Sequence, residues 1–85
     1  MEPEVAFGQV LKSLRKARGL SQERLALDAG IERNYISLLE RGRNSVSVKI
    51  IFKIAGALRI QPSVLLGMVE EKMAASSTQL TCESA

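Results

Sequence analysis

Apolar residues recur along this chain at helical spacing, separated by short polar gaps, and strand-like alternation is weak. Phe7, Leu11 and Leu14 fall at i, i+4 and i+7 and make one stripe, which predicts a first helix over residues 4–18. Lys12, Arg15, Lys16 and Arg18 take other faces or the last turn, where cations suit the helix dipole. Gly19 follows as a C′ residue. Ser21 is a good N-cap for a second helix over residues 22–29, with Leu25, Ala26 and Ala29 inward and Gly30 closing it. The third helix is expected over residues 33–41, with Ile36 and Leu39 inward, ending at Gly42. A polar loop covers residues 42–46. Ser47 then caps a fourth helix over residues 48–58, whose stripe is Ile51, Ile54, Ala55 and Leu58, with Ile50 and Phe52 adding apolar surface. Pro62 suits the first position of a fifth helix, expected to reach residue 73. Residues 74–85 are rich in Ser and Thr without periodicity and are expected to form a disordered polar tail. The fold class is all-α, one five-helix domain over residues 1–73.

At 85 residues the chain has room for one modest core, burying roughly 60–65% of its unfolded surface. Phe7, Tyr35 and Phe52 are the only aromatics, so Leu, Ile, Val and Ala must build that core. The formal charge of +3 is unevenly placed. Residues 1–69 carry eleven Lys/Arg against six Asp/Glu, a net of +5, and residues 70–85 carry a net of −2 from Lys72, Glu70, Glu71 and Glu83. A basic surface attracts phosphate, although charge by itself fits simple solubility equally well. Cys82 is the single cysteine and there is no His, which argues against a disulfide or a zinc site and fits a reducing cytoplasm. The N-terminus is acidic and lacks the apolar run of a signal peptide, and no apolar run approaches the ~20 residues of a membrane helix. Neither a nucleophile–base pair nor a phosphate-cradling glycine loop is present, so the expectation is a protein that is not an enzyme and needs no metal or cofactor.

The informative stretch is residues 21–40, SQERLALDAGIERNYISLLE. Two short helices meet there with almost no slack between them. Helices crossing at ~90–120° through a 3–4-residue turn form the helix-turn-helix unit. Ala26 is small where two helices must approach, and Gly30 can adopt the positive φ of a tight corner. Leu25, Ala29, Ile31, Ile36 and Leu39 supply apolar contacts that set the crossing.

With LRKARGLSQERLA, AGIERNYISLLERGR and FKIAGALRIQPSVLL, the chain resembles the Cro/phage-repressor (XRE) class of helix-turn-helix regulators over about residues 7–67. Within it, RNYIS and ERGRNSVSVK most resemble the small controller proteins of restriction–modification systems. The resemblance implies a compact lambda-repressor-like domain that binds double-stranded DNA and regulates transcription. Its third helix would enter the major groove by its N-terminal half. The matching base-reading positions are Arg33, Asn34, Ser37 and Leu38. Arg pairs bidentately with guanine O6/N7, Asn with adenine N6/N7, and Leu meets a thymine methyl. Backbone phosphates would be held by Ser21, Gln22, Tyr35, Arg43, Asn44 and Lys49. Simple capping is the other role open to Ser21, and buttressing of the reading residues the other open to Gln22. The resemblance also implies a partly buried ion pair between Arg15 and Glu40. Glu32 departs from the class, where Ser, Thr or Asp more often caps the third helix.

One recognition helix reads few base pairs, so a homodimer on a palindromic operator, with half-sites about 10 bp apart, is expected. The fifth helix carries more apolar residues than one buried side needs. Leu65 is expected in the core, and Val64, Leu66, Met68 and Val69 at the dimer interface. A protein-interaction role, as adaptor or antitoxin on the same fold, is the alternative. A contact with RNA polymerase cannot be placed from the sequence.

Overall fold

The computed structural model describes residues 1–76. Five helices follow in order: α1 (Pro3–Ala17), α2 (Gln22–Ala29), α3 (Arg33–Glu40), α4 (Val48–Leu58) and α5 (Pro62–Ser76). The bounds of α2 and α4 are those expected, and the start of each is set by a serine cap. Ser21 Oγ accepts from the Arg24 amide at 2.9 Å, and Ser47 Oγ accepts from the Ile50 amide at 3.2 Å. Each closes an otherwise open donor of a first turn. α1 begins at Pro3, one residue earlier than expected, and α5 runs three residues beyond Met73. The rest of the expected tail, Cys82 included, lies outside the described residues.

α1 packs on α3 and α5, α2 packs on α3 and α4, and α4 packs on α5. Every helix contributes to the single core. Leu11, Leu25, Ile36, Leu39, Ile54, Leu58 and Leu65 are its largest fully buried side chains. Each stabilises the fold by about 1.5–3 kcal/mol relative to exposure. The ends of α1 and α4 are tied by Arg18, whose Nε donates to the Leu58 carbonyl at 2.7 Å. Among the described residues no single helix is long and apolar enough to cross a membrane.

Gly8, which no periodicity singles out, is where α1 crosses α3. It is buried, and a Cβ there would run into the carbonyl oxygens of Leu39 and Glu40. Only glycine allows the two backbones to approach so closely. This contact positions the C-terminal end of α3 on the scaffold.

Val69 is not at the surface, in contrast to its expected place at a dimer interface. It lies one turn after Leu65 on the same side of α5 and is 7% exposed within the core. Met68 packs half-buried against the core. Val64 and Leu66 do face solvent, and so do Val48 and Phe52 of α4. Phe52 is 61% exposed, an unusual place for one of only three aromatics.

Candidate nucleic-acid interface

The corner between α2 and α3 is closed by Gly30, which holds φ 73° and ψ 35°. The Gly30 amide donates to the Leu27 carbonyl at 3.2 Å, and the next amide, Ile31, reaches back to Ala26 at 3.0 Å. These bonds satisfy the last carbonyls of α2 and turn the chain directly into α3. Leu25, Ile36 and Leu39 are buried beneath the corner, with Ile31 half-buried at its edge. Glu32 occupies the N-cap of α3 without a side-chain capping bond. Its longer side chain suits that bond less well than Ser or Asp.

Arg33 and Asn34 are both exposed in the first turn of α3. Neither side chain has a hydrogen bond or ion pair among the described residues. Arg43 and Lys49, on the following loop and the start of α4, are likewise exposed and unpaired among the described residues. These groups therefore remain available for an external anion. Ser37 and Leu38 are half-buried further along α3, and Asn44 is half-buried in the loop.

Several other polar residues are engaged within the protein. Arg15 and Glu40 meet as a bidentate pair, with Nε to Oε2 at 2.6 Å and Nη2 to Oε1 at 3.1 Å. Arg15 Nη1 also donates to the Leu20 carbonyl at 2.7 Å, and Gln22 Nε2 donates to Glu40 Oε1 at 3.0 Å. The two charged side chains are only 10% and 3% exposed. Removal of two charges from water is costly, and the fourfold bonding offsets that penalty. α1, the start of α2 and the end of α3 are thereby locked together.

Three residues expected at DNA phosphates hold partners of their own. Gln22 buttresses Glu40, and the Tyr35 hydroxyl donates to the Ser45 carbonyl at 3.3 Å. Ser21 Oγ caps α2, and its own O–H is not used by that bond. Ser37 Oγ accepts from Arg41 Nη2 at 3.1 Å. Ser45 Oγ donates to Glu4 Oε2 at 3.2 Å, so the loop after α3 is pinned to both α1 and α3. The sequence does not signal the parts played by Glu4, Arg41 and Ser45, because surface hydrogen bonds between distant residues leave no periodic trace.

A tight helical corner, an exposed basic leading edge and a pinned loop behind it define a helix-turn-helix protein. Residues 11–65 match the helix-turn-helix family. The chain belongs to that family of DNA-binding transcriptional regulators, in its Cro/phage-repressor branch. It is 44% identical over 61 residues to the control protein C.BamHI of Bacillus amyloliquefaciens, across 71% of this chain and 75% of that one. It is 39% identical over 73 residues to the immunity repressor of Bacillus phage phi105, across 82% of this chain and 51% of that protein. The crystal structure of the restriction-modification controller protein C.AhdI from Aeromonas hydrophila superposes with a TM-score of 0.71 at 50% identity. That match covers 73% of this chain and 94% of C.AhdI.

Proposed function

We propose that this protein reads a short palindromic operator in double-stranded DNA as a homodimer in the cytoplasm, acting as a repressor- or controller-type regulator. The observation that carries the reading is the free, exposed pair Arg33 and Asn34 at the leading edge of a firmly anchored α3. Arg33 presents a fork suited to guanine O6/N7 and Asn34 an amide suited to adenine N6/N7. Ser37 and Leu38 follow on the same helix, with Leu38 offering an apolar contact to a thymine methyl. Arg43, Lys49 and Asn44 hold backbone phosphates on one flank, and Ser21 with the N-terminus of α2 holds one on the other. Tyr35 and Gln22 contribute chiefly by fixing the Ser45 loop and Glu40.

The second copy meets the first through exposed apolar side chains of α4 and α5, namely Val48, Phe52, Val64 and Leu66. Two-fold pairing sets two recognition helices about one DNA turn apart.

A gel-shift titration with random duplex at rising salt tests the DNA reading. Binding should weaken by about one log unit per log unit of salt for each phosphate contacted. Absence of any shift at low salt would leave a protein-binding adaptor as the better reading.

A further inference from the structure

A groove of about 300 Å³ opens between the ends of α1 and α4 and the outer side of α2. No residue of α3 or of the 42–46 loop borders it. Three arginines from three different elements line it: Arg18 at the end of α1, Arg24 on α2 and Arg59 at the end of α4. Asp28 is the one carboxylate there, and it already pairs with Arg24 at 3.3 Å. Leu20 and Ala57 add half-buried apolar surface to the same lining.

Arg59 is the informative member. It is the only non-glycine residue with positive φ among the described residues, at φ 61° and ψ 42°. It closes α4 as a left-handed C-cap, a position glycine fills without the steric penalty that a Cβ brings. Arg59 is exposed, and its guanidinium has no hydrogen bond or ion pair among the described residues. An unfavourable backbone residue thus carries a free charge to the rim of a basic groove. We propose that this groove docks an acidic segment of a partner protein, its carboxylates on Arg59 and Arg24 and an apolar side chain on Leu20 and Ala57. Arginine suits that partner because its planar fork binds a carboxylate through two parallel hydrogen bonds. An acidic peptide fits better than a DNA backbone, because the groove has apolar surface alongside its charges and no border with α3. Docking here would leave the α3 edge free.

The test uses the full chain without DNA and a fluorescein-labelled peptide of Asp and Glu flanking one Leu. The same peptide with Asn and Gln is the control. The acidic peptide should bind, the amide peptide should not, and backbone amide shifts should cluster at residues 18–20, 24–28 and 57–59. Arg59→Gly should weaken peptide binding by about tenfold or more, the scale of one lost charge-assisted contact, while the melting temperature holds or rises. Arg24→Gln should weaken it as well. Equal binding of the amide peptide, unchanged binding by Arg59→Gly, or shifts centred on α3 would each overturn the proposal. So would an equal loss of random-duplex affinity in Arg59→Gly, which would make the groove a DNA-phosphate contact. A gel shift of the unmutated chain tests the DNA reading separately.

Discussion

The C-terminal end of α3 is wired into the protein, with Glu40 held by Arg15 and Gln22 and the Gly8 crossing pressed against its carbonyls. At the N-terminal end, Arg33 and Asn34 stand in solvent with their hydrogen-bonding groups open. The two ends are one helix of eight residues, so the rigidity of one is delivered to the other. Stability resides at the rear, and the proposed recognition at the front. A reading group must be free to bond the base, yet its position must not wander, and separating the two tasks along the helix meets both demands.

The rear end should be the more sensitive. Arg15→Ala leaves Glu40 nearly buried with Gln22 as its remaining partner, at a cost of about 3–5 kcal/mol. In a domain of this size each kcal/mol lowers the melting temperature by about 4–8 °C. Arg15→Met combined with Glu40→Met should cost less than either change alone, because no charge is then stranded. A loss below about 1 kcal/mol in Arg15→Ala would mean the pair behaves as a solvated one and does not anchor α3. Phe52 belongs to neither end of α3. Phe52→Lys should leave the melting of the monomer nearly unchanged but weaken self-association by about 2 kcal/mol, seen by sedimentation. Unaltered association would move the interface away from α4. At the front end, Glu32→Ser supplies the missing N-cap and should add about 0.5–1 kcal/mol to stability in a thermal melt. No gain would show that the Glu32 backbone geometry cannot present a cap.

Much of this arrangement is legible in the chain itself. The starts of α2 and α4 follow from Ser21 and Ser47, whose capping bonds form as the residue types suggest. The corner follows from Gly30 and the apolar residues around it. The Arg15–Glu40 pair follows only from resemblance, since residues 25 apart in sequence carry no local sign of contact. Gly8 is hidden because a stripe of apolar positions draws attention to large side chains and passes over the one that must be absent. Val69 is not placed by counting, because the number of apolar residues on α5 does not say which share a side with Leu65. Arg59 is the clearest departure, since a left-handed helix end ordinarily calls for glycine and the sequence has a charged residue there.

The division of labour along α3 is tested most directly by selecting bound sites from a random duplex library with the unmutated chain and with Arg33→Ala. The variant should melt with the parent and lose about 1–3 kcal/mol of discrimination at one or two positions of each half-site, with the other positions retained. A uniform loss across all sequences would make Arg33 a phosphate contact, and a loss of folding would place it in the scaffold. Either result would contradict a front end built for reading bases.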